Sequence, residues 1–425
     1  MLPATTETYN PMTATQFSLI FIATLAFTTL ARLWLARRHL AHIAAHRSAV
    51  PEAFREQILL SNHQKAADYT SAKTRFAMLG FLFDAALLLV FTVAGGIQWI
   101  ADMAQAWFSS PLIQGGATLV AVLMLSSLLE APFNLYRTFR IEARFGFNNM
   151  TFRLYLLDAL KGLLIGAVLG LPLLFGVLWL MESMGDYWWL YVWGAWVTFN
   201  LLILFIYPTF IAPLFNKFTP LQDDAMKARI AALLTRCGFT SNGLFVMDGS
   251  KRSAHGNAYF TGFGKTKRIV FFDTLLARLS GNEIEAVLAH ELGHFKHRHV
   301  MKRIAMTFAM SLLLLWVLAV LMKTTWFYQG LGVTTPSTAL ALLLFFMVMP
   351  IFSFLLSPVL SAYSRKHEFE ADAYAARQTT ASDLVNALVK LYQDNAATLT
   401  PDPLYSRFYD SHPPAAVRIA NLQAL

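Results

Sequence analysis

Seven apolar runs constrain what this chain can fold into more than any other feature. They lie near residues 16–36, 76–100, 113–133, 153–180, 187–211, 303–322 and 338–360. Each supplies about 20 apolar-dominated residues, enough to cross the hydrocarbon core of a bilayer as a helix. Composition agrees, with 56% of the 425 residues hydrophobic and only 14% charged, outside the range of an ordinary soluble chain. The first run has neither a basic leader region nor a small-residue cleavage site, so a retained helix is expected in place of a removed signal peptide.

Basic residues then orient the spans, because cytoplasmic segments carry excess Lys and Arg. Arg37, Arg38, Arg47, Arg55, Lys65, Lys73 and Arg75 separate spans one and two, and Arg137, Arg140 and Arg144 follow span three. The tail before span one, the connection after span two and the turn between spans four and five have none, and spans six and seven are separated by Lys323 alone. The N-terminus is therefore expected outside and the C-terminus in the cytoplasm, of a bacterial inner membrane or an endoplasmic reticulum membrane. The net charge of +9 is accounted for by this topology and by contact with anionic membrane lipid, so no nucleic-acid partner is implied. Cys237 is the single cysteine, which excludes an internal disulfide.

The expected division is a membrane domain over 1–211 with spans one to five, a hydrophilic part over 212–302, spans six and seven over 303–360, and a second hydrophilic part over 361–425. Asp84, Glu130, Asp158 with Lys161, and Asn200 fall in or beside spans. Such groups are costly against lipid and imply either interhelical pairing or a water-filled chamber. Within 212–302, Leu221 to Cys237 reads as an amphipathic helix ending near Gly238, and strands are expected around 244–247, 258–260 and 268–272. A helix over Asn282 to Arg298 follows, with Ile284, Val287, Leu288, Leu292 and Phe295 as apolar positions and Ser280-Gly281-Asn282-Glu283 as a capping box.

That helix carries His290-Glu291-Leu292-Gly293-His294. Positions i and i+4 share a helix face, so both imidazoles can reach one zinc ion with Glu291 beside it, the core of a zinc hydrolase. A hydrolytic zinc site takes three protein ligands and leaves a fourth position open. His297 shares the face but lies roughly 10 Å of helix rise beyond His290, too far to join. His299 projects nearly opposite and reads as solvated. The better third ligand is Glu368 in Arg365-Lys366-His367-Glu368-Phe369-Glu370-Ala371-Asp372, with Asp372 one turn further, free to hold the distal nitrogen of a ligand histidine. Glu370 points about 200° away from the Glu368 face and reads as a solvated charge.

His290-Glu291-x-x-His294, Glu368-x-x-x-Asp372, the run Ser253 to Gly262, Arg144-Phe145-Gly146-Phe147-Asn148, and Ser411-His412-Pro413-Pro414 with Arg418 together resemble the type I CAAX prenyl endopeptidases, the a-factor-converting integral-membrane zinc proteases. The resemblance runs nearly the whole chain. It implies a mainly α fold, a seven-helix bundle around a chamber, capped by an α+β gluzincin-type protease domain. It makes His290, His294 and Glu368 ligands of one zinc per chain and Glu291 the general base.

Within that reading His412 is the candidate oxyanion donor, stiffened by Pro413-Pro414, and Arg418 braces acids such as Asp372. Asn257, Ala258, Tyr259 and Phe260, preceded by His255, form a candidate edge strand for an extended peptide or protein substrate. A substrate prenylated at its C-terminus would suit a membrane enzyme. Broad quality-control cleavage of membrane proteins is an alternative, and a transporter with an incidental zinc site is a third reading that leaves Glu291 and Glu368 unexplained. The orientation is testable directly: a cysteine introduced at Lys251 is expected to react with an impermeant reagent only after cells are permeabilised, and labelling in intact cells would overturn the topology.

Overall fold

The apolar runs fold as long helices that continue well past their apolar stretches. The computed structural model describes residues 12–261 and 266–425, so Gly262 of the quoted Ser253–Gly262 run, and the tail before residue 12, lie outside the described residues. Among the described residues, seven helical segments are long and apolar enough to cross a membrane: Ala14–His46, Leu60–Phe91, Pro111–Glu142, Phe152–Ser183, Gly185–Phe215, His299–Leu321 and Thr338–Gln378. The first, at about 1.5 Å per residue, is roughly 50 Å long against about 30 Å of hydrocarbon. Its basic end is rich in Ala, Leu and Arg, which favour helix, so Arg37 and Arg38 lie on the helix and not in a loop.

Span two differs from its expected bounds. Its helix ends at Phe91, and Gly95 adopts a left-handed conformation at φ 81° that a residue with a Cβ rarely holds. A separate helix, Gly96–Trp107, follows, burying Ile97, Ile100, Ala101 and Ala104 on one stripe against span three.

The hydrophilic parts build a small sheet of four strands, β1 (Phe218–Pro220), β2 (Thr240–Met247), β3 (Ala258–Thr261) and β4 (Thr266–Phe272), in the order β1-β2-β4-β3. β2 and β4 run parallel, and among the described residues β3 pairs only with β4, antiparallel, which leaves it at the sheet edge. The helix Asp224–Cys237 ends at Gly238, left-handed at φ 77°, and packs on the motif helix. The motif helix runs Gly281–Lys296 and closes its N-terminus with the expected Ser280/Glu283 capping box. Span seven continues through a short 3₁₀ turn, Phe354–Leu356, into Ser357–Gln378, the helix that carries Glu368.

Two of the quoted runs turn out to bind the halves of the molecule together. Asn148 and Ser253 form an isolated antiparallel bridge, the Ala254 amide donates to the Phe147 carbonyl, and the Asn149 amide donates to the Arg252 carbonyl. Arg252 then donates to both carboxylate oxygens of Asp158 at 2.7 and 3.0 Å. Asp158 is thus paired with the protease part and not with Lys161, which donates to the Leu214 carbonyl at 2.7 Å. Asp84 and Glu130 face a cleft of about 630 Å³ between spans two and three, with Lys73 and Arg137 on its wall.

The motif helix and the extension of span seven touch backbone to backbone at Gly293. A Cβ there would stand 2.9 Å from Ala371 Cα and 3.1 Å from its carbonyl oxygen, neither able to swing aside. Gly293→Ala is therefore expected to cost about 1–3 kcal/mol of overpacking, only partly offset by the roughly 1 kcal/mol that Ala gains as a helix former. A lowered thermal midpoint in detergent together with reduced bound metal would bear this out; unchanged values would show that the helices tolerate separation.

Candidate active site

The motif helix and the span-seven extension bring His290, His294 and Glu368 together, with one ligand-type atom of each within 4.8 Å of the others. His290 Nε2 lies 3.3 Å from His294 Nε2, and each is 3.5 Å from a Glu368 oxygen. Donors held at about 2.0–2.2 Å around a tetrahedral ion are separated by about 3.3–3.6 Å, so the trio fits a small divalent metal without rearrangement. Glu368 Oε2 is buried and finds no hydrogen-bond donor among the described residues, with Arg418 Nη1 3.7 Å away, so a lone pair remains for a closer ligand.

Charge supports the same reading. With both histidines neutral, as metal ligands must be, Glu291, Glu368 and Asp372 against Arg418 leave an excess of two negative charges that a dication would neutralise. Asp372 has no solvent exposure. It accepts from His290 Nδ1 at 2.8 Å and from Arg418 Nε at 2.8 Å, and it also takes Arg418 Nη2. Burial disfavours charge on His290, but its contacts with Asp372 and Glu368 outweigh this and raise its pKa. Burial and then the neighbouring charge on His290 lower that of His294. Glu291 is pushed upward from the usual carboxylate range, chiefly by burial.

His412 stands at the open edge, its Nε2 3.4 Å from Glu368 Oε1, with Ser411 Oγ 3.0 Å from its Nδ1. Pro414 caps the helix Ala415–Gln423, which carries Arg418 inward. A cleft of about 400 Å³ runs from His412 and Glu291 to Asn257 and Ala258, and its far wall is Leu384, Leu388 and Leu391. The i, i+4, i+7 spacing of those leucines marks one face of the helix Ala381–Asp394 and went unread in the sequence.

The remaining candidate residues are placed differently. His255 is stacked on Phe147 with centroids 4.3 Å apart, and its Nδ1 lies 3.1 Å from Asn395 Oδ1. Tyr259 packs edge-on against Phe272, and Phe260 packs against Phe295. Of the expected strand, Asn257 and Ala258 line the cleft while Tyr259 and Phe260 pack within the fold. His297 lies outside the trio as expected. His299 does not fit its reading as a solvated group: it is 1% exposed and touches both His294 and Glu370, while Glu370 stays partly exposed to solvent.

Comparison with known proteins agrees with this geometry. Residues 39–217 match the family described as CAAX prenyl protease N-terminal, five membrane helices, and 220–425 match peptidase family M48. CAAX prenyl protease 1 of Saccharomyces cerevisiae is 34% identical over 88% of this chain and 88% of its own length. The chain belongs to the CAAX prenyl protease family within peptidase family M48. The Homo sapiens CAAX prenyl protease 1 homolog is 32% identical over 96% of each chain. The crystal structure of S. mikatae Ste24p superposes with a TM-score of 0.90, at 31% identity, covering 97% of this chain and 100% of that one. This protease is accordingly a multi-pass membrane metalloprotease acting on a peptide or protein substrate, and membership sets the transporter reading aside.

Asp372 is the support whose loss should be felt most. Asp372→Ala is expected to weaken metal binding about 10–100-fold in chelator competition. It should also destabilise the fold by about 3–5 kcal/mol, because Arg418 is left buried without its partner. His297→Ala should leave metal content unchanged.

Proposed function

We propose that this protease holds one zinc ion between His290, His294 and Glu368 and cleaves extended peptide segments at the cytoplasmic face, with C-terminally prenylated proteins as its substrate class. The observation that carries the reading is the convergence of the trio, at tetrahedral spacing, beside Glu291 in a cleft that opens along a sheet edge. The names of the relatives support the prenylated substrate. The proposed division keeps 1–211 and 303–360 in the membrane, as a bundle around a chamber, and joins 212–302 to 361–425 as the protease unit, with the N-terminus outside.

Zinc bound here supplies Lewis-acid polarisation of the scissile carbonyl and acidifies water at the site. Glu291 takes the proton of the attacking water on its carboxylate and passes it to the leaving amine. His412 donates from Nε2 to the oxyanion, and Asp372, itself held by Arg418, fixes the His290 ring. Asn257 and Ala258 orient the substrate backbone alongside β3, and the wall of Leu384, Leu388 and Leu391 takes an aliphatic side chain next to the scissile bond. Contact with membrane lipid keeps an anchored substrate near the site. Because backbone reading asks little of sequence, broader cleavage of membrane or misfolded proteins is a second reading favoured by the same edge strand.

Purified protein is expected to carry about one zinc per chain. Glu291→Gln should keep that zinc while losing hydrolysis by at least ~10²-fold. His412→Ala should lower turnover on the order of 10²-fold with metal intact. An unprenylated peptide should still be cut, more slowly, and Asn257→Ala should impair cleavage of both forms. Strict dependence on the prenyl group with Asn257→Ala silent would refute the edge-strand account and move recognition to a lipid pocket among the spans.

A further inference from the structure

Arg298 is the joint between the motif helix and span six, and it is left-handed at φ 56°, an uncommon and mildly costly state for a residue with a Cβ. The break redirects the chain so that His299, the first residue of span six, folds back onto the motif helix. Its Nδ1 lies 3.0 Å from His294 Nδ1, and its Nε2 lies 2.9 Å from Glu370 Oε2. The ring is stacked on His367 with centroids 3.9 Å apart and planes 9° from parallel. It has one orientation available.

The hydrogens along this chain follow from its carboxylate end. An ionised carboxylate only accepts, so His299 Nε2 carries the hydrogen and donates to Glu370. His299 Nδ1 is then the acceptor, and His294 Nδ1 must donate to it. That leaves His294 Nε2 without a hydrogen, and this is the nitrogen 3.5 Å from Glu368 Oε1 and 3.3 Å from His290 Nε2. The lone pair therefore faces the cluster.

We propose that His299 and Glu370 are positioning residues of the metal centre, a relay running from the buried His299 to the half-buried Glu370 that fixes the tautomer and ring orientation of His294 as Asp372 does for His290. This inference rests on reading the trio as a metal site. The two histidines are then braced from different directions, one by Asp372 and Arg418, the other by the start of span six. Glu368 and Glu370, two residues apart on one helix, serve the ion and the relay respectively. A metal-ligand histidine braced through its second nitrogen holds metal about 10–100-fold more tightly than one left free.

The test uses the full-length protein in detergent, loaded with zinc or with cobalt. Wild type that binds no zinc, or His290→Ala that keeps it, would sink the metal-site reading itself, whatever the relay does. Where those controls behave, His299→Ala is expected to release zinc to a chelator about 10–100-fold faster and to shift the visible absorption of the cobalt form. His299→Asn, whose side-chain oxygen keeps an acceptor near the Nδ1 position, should recover most of both. Glu370→Leu should show a smaller loss, Glu370→Gln should stay near wild type, and His299→Ala with Glu370→Leu should be no worse than His299→Ala alone, since both act along one path. If His299→Ala does not fold, His299→Asn against Glu370→Leu asks the same question. Wild-type release and an unchanged cobalt spectrum in the variants that fold, with only the melting temperature lowered, would overturn the relay and leave His299 a packing residue.

Discussion

Asp372 is a carboxylate with no solvent exposure, and the arrangement of the site depends on making that burial tolerable. An isolated buried charge costs far more than the few kcal/mol by which a domain is stable, so it must be paired and fully hydrogen-bonded. Arg418 and His290 do this from two sides. The consequence is geometric: the C-terminal helix, the motif helix and the extension of span seven are drawn to one point. Such a network adds little net stability compared with an apolar core of the same shape. What it contributes is a single allowed placement of His290, and with it of the trio.

The motif histidines and their helix were legible because the capping box and the apolar period agree over the whole element, and Glu368 with Asp372 because i, i+4 spacing is preserved on any intact helix. The misread residues sit where that assumption fails. A helix continued past His297 would project His299 nearly opposite His290, but the motif helix stops at Lys296 and the left-handed Arg298 starts a new one. Glu370 does point away from the face of Glu368; the surface it meets belongs to span six, which no single-helix argument contains. Hydropathy carries span two on to residue 100 because it does not register a change of direction at Gly95 and Gly96. β1, three residues long, is too short to show alternation.

The runs around Phe147 and Ala254 carry a different lesson. As sequence they mark kinship with one family, and His255 invites a reading as a group that touches substrate. In the fold they are a seam: a bridge, two backbone bonds and the Arg252–Asp158 pair hold the sheet against the adjoining ends of spans three and four. Tyr69 adds to it by donating to both oxygens of Glu142, 3.7 Å from His255. A distinctive motif can thus reflect assembly as much as chemistry.

The unbroken passage from span seven into the helix of Glu368, with His299 opening span six, bears on modularity. In many membrane enzymes the catalytic portion is a separable module, tethered by a linker and recoverable as a water-soluble fragment. Here no such cut exists. A fragment ending before His299 lacks both Glu368 and the His299 ring that touches His294, and one beginning after span seven leaves Glu368 on a helix whose direction nothing sets. Shuffling this active site onto another anchor would require transplanting two spans with it, so the catalytic unit and its bilayer anchor are inherited as a single part.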